Sequence, residues 1–407
     1  MNILIVNQPL NNRGDESAHK GLIRALVKRI PDIKIKVLFI GTYTDSVRQF
    51  DVMLPQVEYV CLRPRKIYKF IKPVLMNGYF FLWNFHPVIR KMMNLYRQAD
   101  YVVCAPGGIC MGGFQSWTHL FYLKLAQLTG SKLAYYGRSF GPFPTETKEN
   151  KRFKELSLEM LDYFSFCSIR DSKTEMLAKE LGVNYVKTLD SAFLDDTKGI
   201  IPDELKELIG DNKYVVFVPN SLIWHYAYKG KIRKETVLAF YAKLLREIEK
   251  KYSEHQILLL PQTFNYPSPD DNDINFFYEF QEYTKDNRLV VIKDVYSSDI
   301  QQAIIKKSEC MIGARYHSVV FAINQNVPFV ALSYEHKIAG LLETLGKNDS
   351  MLDMTTALDD EIHINDAVNL FSHILSNIKP DSQATLQAKE IANECLDTFI
   401  NNYLYRI

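Results

Sequence analysis

Residues 308–337, SECMIGARYHSVVFAINQNVPFVALSYEHK, restrict the fold more than any other part of the chain. Cys310, Met311 and Ile312 make a short apolar run that Gly313 and Ala314 interrupt. Arg315, Tyr316, His317 and Ser318 then open a helix, which continues through Phe321 and Ala322 and stops near Asn326 and Pro328. A second apolar run, 329–332, follows, and a loop presents Tyr334, Glu335, His336 and Lys337. Strand, helix and strand joined by short connections form the building block of a parallel sheet.

Open parallel sheets bind ligands beyond the carboxyl ends of their strands. Arg315 and His317 follow one such end and Lys337 follows the next. A helix start adds unpaired backbone N–H groups and a positive dipole end, both of which favour an anion. The stretch is therefore expected to gather a guanidinium, an imidazole and an ammonium around one small anion. The alternative is that Arg315 and His317 cap or pair locally.

The same alternation fills the rest of the chain. Apolar runs at 2–6, 34–40, 57–61, 101–105, 132–136 and 164–169 read as strands of a first domain. Runs at 214–218, 257–260, 289–292, 310–312 and 329–332 read as strands of a second. A loop spans 7–16 before a helix over 17–29, which puts Asn12, Arg13, Gly14 and Asp15 at a strand-to-helix turn. Glycine-rich loops are expected at 107–113, where Gly107 and Gly108 would let a ligand approach the backbone, and at 137–142. Neither is a dinucleotide fingerprint or a P-loop. Arg170 stands at a strand end before a helix over 172–181, either pairing locally with Asp171 or facing a ligand. The polar segment 195–212 reads as a linker with a short helix, and the acids of loop 265–273 either stand in solvent or contact sugar hydroxyls or a magnesium ion. A less regular part is expected over 348–360, and two helices close the chain, at 364–378 and 384–403.

Composition excludes several classes. A net charge of +2 over 407 residues gives no whole-protein field for nucleic acid. The six cysteines lie far apart without a CxxC pair, which argues against zinc or redox chemistry and for core thiols of a reducing compartment. Met1 and Asn2 lead straight into a strand rather than a signal peptide, and no apolar run reaches the roughly 18 residues that span a bilayer. The expected location is cytoplasmic. Segment 63–97 interleaves Arg63, Arg65, Lys66, Lys69, Lys72, Arg90, Lys91 and Arg97 with Phe70, Phe80, Phe81, Trp83 and Phe85. It suits either ordinary domain helices with snorkelling lysines or a surface lying on the anionic inner face of the cell membrane.

Arg315-Tyr316-His317-Ser318 after a Gly-Ala strand end, followed by Val327-Pro328 and Tyr334-x-x-Lys337, resembles the C-terminal signature of the polysaccharide pyruvyltransferase family. Further pieces agree in order: Asn12-x-Gly14-Asp15, the glycine-rich 107–113, Gly137-x-x-x-Gly141-Pro142, Arg170-Asp171 and Asp190-x-Ala192-Phe193. One departure is Phe114-Gln115-Ser116-Trp117, where the family commonly places an acidic or polar residue soon after its glycines. The resemblance implies transfer of the three-carbon unit of phosphoenolpyruvate onto two sugar hydroxyls as a ketal, in capsule or exopolysaccharide synthesis. It implies an α/β fold of two Rossmann-like parallel-sheet domains facing a cleft, as in GT-B glycosyltransferases, with the C-terminal helix crossing back. The expected division is 1–197 (acceptor side), linker 198–212, 213–383 (phosphoenolpyruvate side) and terminal helix 384–407.

On this reading Arg315, Lys337 and Arg170, with Arg138 as a fourth, hold the doubly charged donor. His317 gives the proton that makes the enol ether carbon electrophilic, with Arg315 beside it. Asp15 or Asp190 takes the hydroxyl proton, and Asn12, Gly107 and Gly108 line the substrate. No metal or cofactor is called for, phosphoenolpyruvate being the co-substrate; the acceptor is a sugar, lipid-linked if segment 63–97 meets a membrane. The rivals are a GT-B glycosyltransferase using a nucleotide sugar, with Glu335 as its ribose carboxylate, and a non-catalytic sugar- or anion-binding module.

Overall fold

The computed structural model describes residues 1–8, 12–40, 52–63, 66–196, 199–225, 228–264 and 269–405; Arg65, Tyr226 and most of the acidic loop's first half lie outside them. The chain forms two units, the first from 1–10, 18–195 and 390–407, the second from 11–17 and 196–389. The division differs from the expected one in that the Asn12–Asp15 element belongs to the second unit; the chain's last residues fall in the first unit, where a terminal helix crossing back would put them.

The first unit is built on strands β1 (Asn2–Val6), β2 (Lys34–Ile40), β3 (Val57–Leu62), β4 (Tyr101–Cys104), β6 (Leu133–Tyr135), β8 (Phe166–Ile169) and β9 (Val186–Lys187). They form one sheet in the order β3-β2-β1-β4-β6-β8-β9, every neighbour parallel. Both faces of the central strands β1, β4, β6 and β8 are buried, which is why those strands read as continuous apolar runs rather than alternating ones. Ile3 and Ile5 join Val37, Phe39 and Val103 on one face. Leu4 and Val6 join Leu38, Val102 and Tyr135 on the other. Helix α1 (Arg13–Arg29) follows β1 and starts at residue 13, earlier than the sequence suggests. Asn12 caps it, accepting from the backbone N–H groups of Gly14 (2.7 Å) and Asp15 (3.2 Å).

The glycine-rich stretches expected as loops are strands. β5 (Gly107–Gly112) and β7 (Arg138–Gly141) pair in parallel as a separate two-stranded sheet. A Cβ on Gly112 would lie 2.4 Å from the carbonyl oxygen of Gly141, so the glycine is what admits the neighbouring backbone. Segment 63–97 forms α2 (Tyr68–Asn77), a 3₁₀ turn (Phe80–Phe85) and α3 (Pro87–Gln98). Helices α4 (Trp117–Thr129), α5 (Lys148–Tyr163) and α6 (Ser172–Glu180) complete the first unit up to residue 195.

The second unit carries β10 (Tyr214–Val218), β11 (Gln256–Leu259), β12 (Leu289–Val291), β13 (Met311–Gly313), β14 (Phe329–Ser333) and β15 (Met351–Asp353). Their order is β12-β11-β10-β13-β14-β15, again all parallel. Only β15 was not expected; three residues on a sheet edge are too few to show a period. The supposed linker is packed into this unit through α7 (Asp203–Ile209), which buries Leu205 and Ile209. Helices α8 (Lys234–Lys251), α9 (Asp273–Thr284), α10 (Ser298–Lys306), α11 (Tyr316–Asn324), α12 (His336–Thr344) and α13 (Glu361–Asn377) follow its strands. The last helix, α14 (Ser382–Phe399), ends in the first unit's core, where Phe399 meets Phe166 at 4.7 Å and Tyr101 at 5.5 Å.

Candidate active site

Each sheet reverses its strand order between two neighbours, β1 and β4 in the first unit, β10 and β13 in the second. Beyond the carboxyl ends at such a reversal neither strand's connection covers the edge, and ligands bind there.

In the second unit Arg315 sits at this point as the N-cap residue of α11. Its Nε and Nη2 donate to Asp273 Oδ1 at 3.0 and 2.6 Å. Nη2 also donates to Thr263 Oγ1 (2.7 Å) and Asp271 Oδ1 (3.0 Å). Asp273 Oδ2 is fixed in turn by the backbone N–H groups of Gln262 and Thr263, both at 2.9 Å. The guanidinium lies 5.1 Å from the centre of the Trp224 ring. Burial works against its charge, but Asp273, Tyr334 and Asp271 outweigh burial and raise its pKa. Burial raises the Asp271 carboxyl, and Arg315 offsets part of that rise.

His317 stands in the first turn of α11 and is buried. Its ring lies against the backbone of Gly14: a Cβ on residue 14 would fall 1.8 Å from Nδ1. Gly14 is held there because the start of α1 is tied to the end of β11. Asn12 forms an antiparallel bridge with Thr263, and Arg13 donates its backbone N–H to Gln262 O at 3.0 Å. The Arg13 side chain pairs with Glu16 at 2.5 Å and covers the Phe264 ring at 4.4 Å. Glu16 Oε1 accepts from the Ser298 backbone at 3.2 Å and hydroxyl at 3.1 Å. Asn12, Gly14, Asp15, Arg315 and His317 therefore share one unit.

Lys337, in the first turn of α12, donates to Glu335 Oε1 at 3.2 Å, and His225 Nε2 is 3.6 Å from Glu335 Oε2. Burial opposes the Glu335 charge; Lys337 and His225 prevail and hold its carboxyl below the ordinary range. Neither α11 nor α12 has a side-chain cap on its N-terminus.

In the first unit the corresponding edge holds Arg138, wholly buried, which donates to the carbonyls of Ala105 and Gly108 and to Cys110 Sγ. His119 is buried beside it, contacts Asn7, and is pushed well below its ordinary pKa by burial and then by Arg138. Gly108 has open space where a side chain would be, whereas Gly107 is a paired strand residue. Arg170 pairs with Asp190; Asp171 caps α6, accepting from Thr174 N at 2.9 Å, and accepts from the Ser139 hydroxyl at 2.5 Å.

Several expectations change accordingly. Arg315, Lys337 and Arg170 are not open cations: each is paired with a buried or nearly buried carboxylate. The loop acids expected in solvent or on a ligand include Asp271 and Asp273, which are the partners of Arg315. Asp190 is fully buried, with one oxygen on Arg170 and the other accepting from Ala192 N at 3.0 Å, so of the two carboxylates considered for the hydroxyl proton it is committed to structure. Sequence reasoning missed Thr263, Asn7 and His119, and it weighed Asp273 only as a loop acid; the cue for all four was position, immediately after a strand end or at a helix start. Among the described residues no group of His, Cys, Asp and Glu is arranged to hold a metal ion.

Solved structures resemble the fold over nearly all its length. The UDP-N-acetylglucosamine 2-epimerase of Neisseria meningitidis superposes with a TM-score of 0.55 at 12% identity, covering 97% of this chain and 99% of that one. The trehalose-6-phosphate synthase OtsA gives 0.60 at 11% identity, with all of both chains covered. At such identities the likeness defines the fold, which is of the GT-B class. The sequence goes further: the polysaccharide pyruvyl transferase family model matches residues 12–336, and the chain belongs to that family. The amylovoran biosynthesis protein AmsJ of Erwinia amylovora is 23% identical over 416 residues, 96% of each chain.

Proposed function

We propose that the protein transfers the pyruvyl group of phosphoenolpyruvate to two hydroxyls of a sugar, closing a cyclic ketal and releasing phosphate, in the synthesis of a surface polysaccharide. One observation carries the reading: an imidazole seated against Gly14 in the first turn of α11, two residues after a rigidly held arginine, at the point where the sheet reverses. The family supports a transferase of this kind, and its relative from Erwinia amylovora, an amylovoran biosynthesis protein, supports a polysaccharide acceptor. A nucleotide-sugar donor gains nothing from either.

The cations are already paired, so the donor's negative charge needs another source of stabilisation. The N-termini of α11 and α12, which neither N-cap side chain closes, supply it through their positive dipole ends. Arg315, its plane fixed by Asp273, adds a fixed positive group that loses no freedom when the donor binds. His317 protonates the methylene carbon of phosphoenolpyruvate, and the adjacent carbon becomes oxocarbenium-like. One sugar hydroxyl adds to that carbon, and its proton restores His317 through Asp15 or directly. The second hydroxyl then displaces phosphate, which leaves with the remaining hydroxyl proton. Two hydroxyl protons are thus consumed, one in the new methyl group and one on phosphate.

Phosphate release from phosphoenolpyruvate in the presence of a sugar panel tests the proposal. The wild type is expected to release phosphate only with an acceptor. His317→Ala is expected to fall by on the order of 10²–10⁴-fold while still binding phosphoenolpyruvate. Equal rates for the two proteins would remove the role assigned to His317.

A further inference from the structure

Between Glu58 and Asp100 the chain has no acidic residue, although eight of its 49 lysines and arginines lie there. Because the whole protein carries only +2, this segment concentrates positive charge that the remainder does not share. The fold places the segment on the surface of the first unit with a firm inner side. Ile71, Val74 and Leu75 of α2, Trp83 of the 3₁₀ turn, and Ile89, Met92 and Tyr96 of α3 are all buried in one core cluster. The Trp83 indole meets the Phe121 ring edge-on at 4.9 Å.

With its apolar stripe already inside, an amphipathic element has no packing reason to carry aromatic rings on its outer side. Yet Phe81 is 60% exposed and Phe85 76%, and Phe70, Tyr79 and Leu82 are exposed as well. The Tyr79 and Phe81 rings stand 6.4 Å apart, and Phe70 stands 6.0 Å from the His86 ring. Lys66, Lys69, Arg90 and Lys91 are exposed in the same segment, and Lys72 pairs with Glu149 at 2.6 Å.

We propose that this face docks on an anionic lipid surface, with Phe81, Phe85 and their neighbours entering the headgroup boundary and the lysines and arginines meeting lipid phosphates. Exposed rings framed by basic residues, in a segment that contributes no carboxylate of its own, are the chemistry of an interfacial anchor. A second copy of the chain fits less well, since a two-fold contact would set the same basic segment against itself. The inference does not depend on the transfer chemistry.

Flotation with phosphatidylglycerol–phosphatidylcholine vesicles and with pure phosphatidylcholine vesicles tests it. Wild-type protein is expected on the anionic vesicles alone, with binding that weakens as salt rises. Phe81→Ser/Phe85→Ser and Lys69→Glu/Lys91→Glu are each expected to lower partitioning by about tenfold or more, since one basic residue near the surface is worth about fivefold. Both keep the wild-type unfolding temperature because the positions are exposed. Absence of wild-type protein from anionic vesicles would overturn the proposal, as would undiminished retention of Phe81→Ser/Phe85→Ser. A concentration-dependent dimer that this variant abolishes would reassign the face to self-association.

Discussion

The side chain that Gly14 lacks decides where the imidazole of His317 can sit. In Gly14→Ala the new methyl falls 1.8 Å from Nδ1, and either the ring or the start of α1 must move. Misplacing a reacting group by about 1 Å costs on the order of 10²-fold in rate, whereas overpacking costs about 1–3 kcal/mol in stability. Gly14→Ala is therefore expected to lose turnover out of proportion to its change in urea midpoint, and comparing the two measurements checks it. Asp273 has the opposite character. Asp273→Ala leaves Arg315 buried with one partner fewer and its neighbours unsatisfied, at about 3–5 kcal/mol, so it is expected to show first as a loss of folded protein in urea titration.

Glu335 adds a pH signature. Its folded carboxyl lies below the ordinary value, because Lys337 and His225 overcome burial. In acid the folded state thus binds fewer protons there than the unfolded state does. The stability it contributes is whole above the usual carboxylate range, near pH 4–5, and is lost as pH falls. Glu335→Gln is expected to be less stable than wild type at neutral pH, with the two stability curves drawing together progressively as pH falls below about 4. Parallel curves would mean that the ion pair is not the source.

At the scale of elements, apolar strands were legible because parallel sheets bury both faces of their central strands and leave unbroken runs such as 3–6 and 214–218. β5 and β7 were not, because their strands are held by backbone proximity at glycine rather than by side chains that favour extended structure. Gly112→Ala would drive a methyl to 2.4 Å from Gly141 O, and it is expected to cost about 1–3 kcal/mol and to strip hydrogen-exchange protection from 107–112. The true start of α1 at Arg13 is hidden in the sequence because a glycine in the first turn reads as a loop, although Asn12 is a good cap. The site was legible only as strand ends. That Arg315 would find Asp271 and Asp273, or His317 the backbone of Gly14, depends on which strand ends the sheet order makes neighbours. No local pattern reports that order; the family resemblance brought the pieces into one frame instead.

For the whole molecule, both units repeat one strand order, and the family match runs from the cap of α1 in the second unit to the first residue of α12. Among the described residues no helix is long and apolar enough to cross a membrane. The central claim is chemical: a three-carbon donor is joined to two hydroxyls of a sugar. Incubating the protein with phosphoenolpyruvate and a panel of free, nucleotide-linked and lipid-linked sugars, read by mass spectrometry alongside phosphate release, tests it most directly. The account predicts a product weighing the acceptor plus pyruvate less one water, formed with one phosphate per turnover and missing with His317→Ala. Release of a nucleoside diphosphate from a sugar nucleotide, with phosphoenolpyruvate untouched, would contradict it.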